Sequence, residues 1–121
     1  MMGLDPRGAT IHCVNLKADM PSIQEALQRL DRELARARQE NIRILKLIHG
    51  YGSSGAGGDI RIAVQKKLCD MQQGGHIRGF IFGEDWAKSN EGSWRLLGSR
   101  QDLKSDADLG RKNPGITIVM L

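Results

Sequence analysis

The stretch from Ile48 to Val64, IHGYGSSGAGGDIRIAV, contains the residue types with the clearest chemical potential. An apolar run ends at His49, a glycine-rich loop extends from Gly50 to Gly58, and apolar residues then recur at helical spacing. The free N–H groups and the positive dipole end of a helix N-terminus attract anions, and glycines let the backbone approach a ligand closely. We therefore predict an anion-binding site where this strand, loop and helix meet.

Two side chains extend the chemistry expected of this site. Arg61, in the predicted first turn of the helix, would present a planar fork suited to phosphate. His49 is the candidate proton shuttle if the chain cleaves a phosphodiester, because imidazole titrates near neutral pH. His12 and His76 are weaker candidates for the same role. In the absence of a ligand, His49 would cap backbone groups at the end of its strand.

The glycine-rich loop has other interpretations. The residues from Gly50 to Gly55 match GxGxxG, but a dinucleotide-binding fold places that motif after its first strand and an acid about 20 residues later. A Walker A loop ends in Gly-Lys-Ser/Thr, whereas this loop ends in Gly57-Gly58-Asp59, which excludes it. The interpretation of the loop as a plain connection that binds no ligand is a further alternative.

The spacing of apolar residues predicts four strands and two main helices. Pro21 suits the first position of a helix, an apolar stripe follows at 3.6-residue spacing, and Gly74-Gly75 ends the second helix. The predicted strands are Thr10–Leu16, Ile42–Ile48, Ile77–Phe82 and Ile116–Leu121, and the predicted helices are Pro21–Gln39 and Asp59–Gln72.

This order, β-α-β-α-β-β, is typical of an α/β fold. Two helices can cover one face of a sheet but are too few to cover both faces, so we expect a two-layer sandwich. Its four-stranded mixed sheet would carry both main helices on one face. We predict a flexible lead-in, 1–9, and one domain, 10–121.

The connection 84–113 is too long for a plain loop, and we expect a helix within it, over Ser93–Arg100. Its apolar residues would pack as a cover over an edge or the open face, or the segment would form a lid whose Trp86 and Trp94 stack on bases. Its acids are expected to be solvated, with a metal site as the alternative. These acids are Glu84, Asp85, Asp106 and Asp108.

Charge and composition indicate a globular chain with a mildly basic surface. The chain has 121 residues, of which 40% are hydrophobic, and a formal net charge of +4. Such a charge is compatible with nucleic acid. Basic residues crowd the first helix, where they would form either a solvated face or a face that follows phosphates. They are Arg29, Arg32, Arg36 and Arg38.

Cysteine usage and the terminus bear on location. Cys13 and Cys69 match no metal-ligand spacing, and we expect two free buried thiols. No apolar run is long enough to span a membrane, and the start MMGLDPRG lacks a signal-peptide core. We therefore expect a cytoplasmic protein with no membrane partner.

The motif residues resemble a known domain family. His49-Gly50-Tyr51-Gly52, then Gly58-Asp59-Ile60-Arg61 and Ala63-Val64, are similar to the HGxG…LRxAV core of the Smr (small MutS-related) domain. The closing run Gly115–Leu121 resembles that domain's final strand, and the resemblance extends over Ile11–Leu121. It implies a two-layer α/β fold like the C-terminal domain of translation initiation factor 3. It also implies nucleic-acid binding and, in several members, endonuclease activity.

The glycine loop is longer than the family's usual short form, and the departure that matters most lies at the end of the first strand. The family's LDLHG-type motif corresponds here to Val14–Ala18, with Asn15 in place of the acid and Lys17 in place of the histidine. Asn15 cannot take up a proton, whereas Lys17 still suits phosphate. Binding should therefore survive these replacements better than catalysis.

We predict a stand-alone Smr-like domain that binds the phosphate backbone of DNA or RNA, in DNA repair and recombination or in RNA quality control. The first alternative is an endonuclease that nicks branched DNA or structured RNA, with Mg²⁺ or Mn²⁺ as its metal and His49 as its catalytic residue. The second is a nucleotide-binding protein. The oligomeric state stays open. The predicted binding residues are Lys17, Gly50, Tyr51, Gly52, Gly55, Gly57, Gly58 and Arg61.

Overall fold

The computed structural model describes residues 11–51 and 56–121. The predicted lead-in and two residues of the predicted site, Gly52 and Gly55, lie outside these ranges. The elements are β1 (His12–Asn15), α1 (Ile23–Gln39), β2 (Ile44–Ile48), α2 (Ala56–Gln73), β3 (Gly79–Phe82), α3 (Glu91–Ser99) and β4 (Ile116–Met120). Two short 3-10 segments, Gly83–Asp85 and Gln101–Ser105, lie between β3 and β4.

The four strands form one mixed sheet in the order β1-β2-β4-β3. β1 and β2 run parallel, and β4 lies antiparallel to both of its neighbours, β2 and β3. Parallel neighbours need a crossover, which α1 supplies between β1 and β2. The predicted α/β fold with a mixed four-stranded sheet is confirmed.

α1 begins at Ile23, so the predicted start at Pro21 is wrong. The N-cap is Ser22, whose hydroxyl accepts from the Glu25 N–H at 3.1 Å, while the Glu25 carboxylate accepts from the Ser22 N–H at 2.9 Å. This capping box satisfies two backbone donors at once and fixes where the helix starts. Pro21 lies just outside it, after Asp19 and Met20, which both have positive φ.

α2 begins at Ala56, earlier than the predicted Asp59. Gly57 and Gly58 therefore belong to the first helical turn rather than to the loop, and Arg61 moves into the second turn. At the other end the prediction is confirmed. The helix ends at Gln73, and Gly75, with φ 76°, takes the left-handed conformation that commonly follows a helix.

α1 and α2 pack on the same face of the sheet, called here the helical face, as predicted. A cluster of buried apolar residues on this face joins both helices to β1, β2 and β4. It contains Val14, Leu45, Leu47 and Val119 from the sheet, Ala26, Leu30, Leu34 and Ala37 from α1, and Ile60, Val64 and Leu68 from α2.

The connection between β3 and β4 covers the opposite face, called here the connection face, which confirms the packing interpretation. α3 and the adjacent 3-10 segment bury Leu96, Leu97 and Leu103 against Ile44, Ile81, Ile116 and Ile118. α3 occupies Glu91–Ser99, close to the predicted Ser93–Arg100. Its N-cap, Asn90, accepts from the Ser93 N–H at 2.9 Å.

A buried ionic network attaches this connection to the centre of the sheet. The Lys46 ammonium, on β2, lies 2.7 Å from carboxylate oxygens of both Asp106 and Asp108. Trp86, fully buried, donates its indole N–H to Asp106 at 3.0 Å, and Asn113 donates to Asp108 at 3.1 Å. The expectation that these acids are solvated is therefore wrong for Asp106, 6% exposed, and holds only in part for Asp108, 25% exposed, because both bind the Lys46 ammonium.

The expectation that the two thiols are buried is wrong, although both are free. Cys13 and Cys69 are both exposed. On β1 only Val14 is buried, and Cys69 follows the buried Leu68 onto the outer side of α2.

No helix in residues 11–51 and 56–121 is long and apolar enough to cross a membrane.

Candidate nucleic-acid interface

The predicted site residues come together where three strands end and the fourth begins. Because β1 and β2 are parallel, their last residues, Asn15 and Ile48, are paired neighbours. The residue after β1 continues the contact, since the Leu16 N–H donates to the Ile48 carbonyl at 2.8 Å. β3 ends and β4 begins at the same edge, with Phe82 opposite Thr117. We call this the loop edge.

His49 is fully buried at the loop edge. Its Nδ1 lies 2.7 Å from the Gly50 carbonyl, and its Nε2 lies 2.9 Å from the Thr117 hydroxyl. A carbonyl only accepts, so Nδ1 carries the proton and Nε2 accepts from Thr117. Burial lowers the pKa of His49, and the nearby Arg61 charge lowers it further. Both nitrogens are therefore occupied in a neutral imidazole that braces β2 against β4.

Gly50 and Tyr51 follow at the surface of the same edge. The His49 and Gly50 N–H groups both donate to the Gly115 carbonyl, at 2.9 and 3.0 Å. Gly50 has φ 77°, a conformation that favours glycine and turns the chain outward. Tyr51 is 54% exposed, with its ring beside Gly115. The ring is therefore positioned to contact a ligand that binds the edge.

Lys17 lies in the turn that follows β1. The Asn15 side-chain oxygen accepts from the Lys17 N–H at 3.0 Å, so Asn15 closes a turn. Arg29 holds the same turn from α1, donating to the Asn15 and Ala18 carbonyls at 3.2 and 3.1 Å. The Lys17 side chain is exposed and pairs with none of the described residues. The turn therefore presents a free ammonium at the loop edge.

Arg61 reaches the loop edge from α2 but is already paired. Its Nη2 contacts the Glu84 carboxylate at 2.5 Å, just after β3. Its buried Nε has no hydrogen-bond partner among the described residues. Asp59, in the first turn of α2, places a second carboxylate near the positive end of the helix. A phosphate at the start of α2 would therefore compete with these two acids.

Sequence reasoning missed two basic residues near this edge. Arg111 and Lys112 immediately precede Asn113, whose carbonyl packs against Gly83 at the end of β3. Both side chains are exposed, and the Arg111 charge is close enough to help lower the pKa of Asp108. The sequence contains the signal as an Arg-Lys pair, but only the antiparallel entry of β4 brings that pair to the loop edge, on the β3 side.

Several predicted groups do not join this edge. His12 is at the start of β1, 3.9 Å from Glu33, and His76 follows the end of α2. Trp86 is buried and cannot stack on a base, whereas Trp94 is 59% exposed on α3. Within the described residues no three His, Cys, Asp or Glu side chains are grouped to hold a metal ion.

The basic face of α1 is largely engaged in protein contacts. Arg29 binds the carbonyls named above, Arg36 pairs with Glu40 at 3.0 Å, and Arg38 donates to the His76 carbonyl. Of the four arginines only Arg32 lacks a side-chain contact to a described residue. Because three of the four arginines already contact protein groups, these contacts favour the interpretation of this helix face as structural and solvated over its interpretation as a face that binds phosphates.

The fold is similar to a solved structure, the Smr domain of Thermus thermophilus MutS2. The TM-score is 0.55, with 22% sequence identity, and the similarity covers 91% of this chain and 96% of that one. The chain therefore has an Smr-like fold. No protein-family model matches the sequence, and no curated protein matches it.

Proposed function

We propose that the chain binds the phosphate backbone of DNA or RNA at the loop edge. The observation that supports this most is the convergence of an unpaired ammonium at Lys17, an exposed aromatic ring at Tyr51 and the N-terminus of α2 at one sheet edge. Ammonium and helix N–H groups suit phosphate, and an aromatic ring suits a base face. The Smr-like fold is consistent with this role.

The charges around the edge predict modest affinity. Lys17, Arg111 and Lys112 are exposed cations, while Asp59 and the Glu84 partner of Arg61 oppose an approaching phosphate. Few phosphate contacts and mixed charge give binding that is weak and salt-sensitive, and phosphate contacts carry little sequence information. We expect dissociation constants in the micromolar range at low salt, in line with non-specific binding of about 10⁻⁴–10⁻⁶ M.

Binding is favoured over cleavage by the state of His49. A proton shuttle must reach the proton it transfers, but both nitrogens of His49 bind protein groups and the side chain is buried. Asn15, in place of a carboxylate, serves the turn before Lys17. These roles account for both residues without a chemical step.

The test measures binding and cleavage together. Fluorescence anisotropy on single-stranded, duplex and branched DNA and on structured RNA, at two salt concentrations, compares wild type with Lys17→Gln and Lys112→Gln. Each substitution should lower the affinity for all ligands by a similar factor. It should also lower the slope of log affinity against log salt concentration by about one. The matched control is Lys66→Gln, exposed and about 15 Å along α2 from Ala56 by the helical rise.

Three results would contradict the proposal. If the wild-type protein does not bind nucleic acid at low salt, or if its affinity does not depend on salt, it makes no phosphate contacts. Equal loss in Lys66→Gln would place binding elsewhere. Product formed with Mg²⁺ or Mn²⁺, and lost in His49→Ala, would make the chain an endonuclease and require His49 to leave its present contacts.

A further inference from the structure

A second candidate site lies at the opposite edge of the sheet, where β2 and β3 begin and β4 ends. A cavity of about 460 Å³ opens there between the sheet and α3. Its floor is apolar, formed by Ile44, Leu96 and Met120, and its rim carries four arginines. We call it the arginine cavity. Its volume is within the range of small-molecule sites, about 300–1,000 Å³.

Two of the rim arginines are paired. Arg95 contacts Glu91 at 2.9 Å, one turn earlier on α3. Arg100 makes two parallel hydrogen bonds to the Asp102 carboxylate, at 3.1 and 3.0 Å, which fixes its guanidinium plane. These two residues set one side of the rim and have their charge partly balanced.

The other two, Arg43 and Arg78, have exposed side chains and no side-chain hydrogen bond or ion pair with a described residue. Their backbones are held on either side of the end of β4. The Leu121 N–H donates to the Arg43 carbonyl at 2.9 Å, and the Arg78 N–H donates to the Met120 carbonyl at 2.8 Å. Two strand spacings separate them, about 10 Å. Two long guanidinium groups can converge on one anion across that distance.

We infer that the arginine cavity binds a phosphorylated nucleotide, with its base over the apolar floor and its phosphate on Arg43 and Arg78. An apolar floor alone would take any small hydrophobe, and a guanidinium pair alone would take any anion. Together they select a ligand with a flat apolar body and a phosphate. Guanidinium groups bind phosphate in a bidentate manner and stack on bases, and the Met120 thioether favours aromatic contact.

The nucleotide can be free or can be the 5′ end of a strand, and calorimetric titration separates these sources. The probes are AMP, adenosine, inorganic phosphate, and an oligonucleotide with and without a 5′-phosphate. AMP should bind at least tenfold more tightly than adenosine or inorganic phosphate, as loss of about 1.4 kcal/mol would give. A strand end is the source if the 5′-phosphorylated oligonucleotide binds more tightly than AMP, and a free nucleotide if it does not.

Two sets of variants assign the binding to the cavity. Arg43→Gln/Arg78→Gln should weaken AMP binding about tenfold or more, because charged hydrogen bonds to phosphate are lost. Arg32→Gln, an exposed arginine on α1, is the matched control and should bind AMP as wild type does. Oligonucleotides are titrated in a Lys17→Gln/Lys112→Gln background, which separates this site from the loop edge.

The inference is overturned by any of three results: no AMP binding by wild type, AMP binding that the Arg43→Gln/Arg78→Gln variant retains, or inorganic phosphate that matches AMP. An acidic peptide carrying one leucine is the competing occupant. If it binds more tightly than AMP and depends on the same two arginines, the cavity is a peptide site. None of these results depends on nucleic-acid binding at the loop edge.

Discussion

The two faces of the sheet bury polar groups of different kinds. On the helical face, His49 and Thr117 form a neutral pair within an apolar cluster. On the connection face, Lys46 is buried between two carboxylates. A neutral pair needs only its hydrogen bonds to be satisfied, whereas a buried charge also needs its counter-charge. The connection therefore depends on particular residues in a way that the helices do not.

This difference separates two ways of attaching a segment to a sheet. α1 and α2 are attached by stripes of apolar side chains, in which one residue can be replaced by another of similar volume. The connection has short helices and fewer buried apolar residues, and it is joined to the sheet through contacts of Lys46 with Asp106 and Asp108 and of Trp86 with Asp106. We expect the polar network to fix the position of the cover, and variants on each face test this.

The largest effect is expected at Lys46. Lys46→Met removes the cation and leaves Asp106 and Asp108 without their shared counter-charge, so the free energy of unfolding should fall by about 3–5 kcal/mol. Urea denaturation measures the change. Lys66→Met, an exposed lysine on α2, is the matched control and should change it by less than about 0.5 kcal/mol. A small loss at Lys46 would mean that the network does not hold the connection.

Gly83, where the connection begins, should show the next largest effect. A Cβ there would overlap the Asn113 carbonyl oxygen and lie 2.8 Å from the Ile116 carbonyl oxygen. Neither backbone can move without disturbing β4, so Gly83→Ala should cost about 3 kcal/mol. In Gly98→Ala, on α3, the Cβ meets nothing within 4 Å, and the helix should gain about 0.5–1 kcal/mol. Equal stability of the two variants would contradict the close contact at Gly83.

The helical face could be predicted from the sequence almost completely, because its information is periodic. Ile60, Val64 and Leu68 recur at helical spacing and are all buried. The helix starts were less accurate, since Ser22 and Glu25 satisfy each other in a capping box that the proline signal obscured. For α2, glycine favours a loop by propensity, but it can occupy a first helical turn, whose N–H groups have no partner within the helix.

The connection face and the loop edge could be predicted only in part. That the connection packs as a cover followed from its apolar residues, but the pairing of Lys46 with acids far along the chain has no local signal. The burial of His49 likewise depends on Thr117, which β4 brings alongside β2. The motif residues of the loop edge, His49 to Tyr51 and Lys17, could be selected from the sequence, whereas Arg111 and Lys112 could not. The contacts of these residues could not be assigned, because those depend on strand order.

A matched pair of helix caps compares the faces more finely. Ser22→Ala removes the cap of α1, and Asn90→Ala removes that of α3. Each should lower the free energy of unfolding by about 1 kcal/mol. Hydrogen exchange should distinguish them, because α3 has only nine residues and opens locally, whereas α1 is held by its apolar stripe. Equal exchange in both helices would remove the contrast between the faces.

The smallest effect is a difference in acid sensitivity. Burial lowers the pKa of His49 in the folded state, so the unfolded chain binds more protons as the pH falls below about 6.5. The contribution of neutral His49 to the free energy of unfolding is therefore complete above that pH. It is lost as the pH falls from there through the pKa that His49 has in the folded protein. Bonding to Lys46 lowers the pKa of Asp108, so the connection face loses stability only below about pH 4.

The free energy of unfolding, measured from pH 8 to 5, should show a slope that His49→Gln abolishes and that His76→Gln, at an exposed position, retains. A slope that survives His49→Gln would mean that this imidazole does not titrate between the two states, and that the pair with Thr117 is not what distinguishes the helical face in acid.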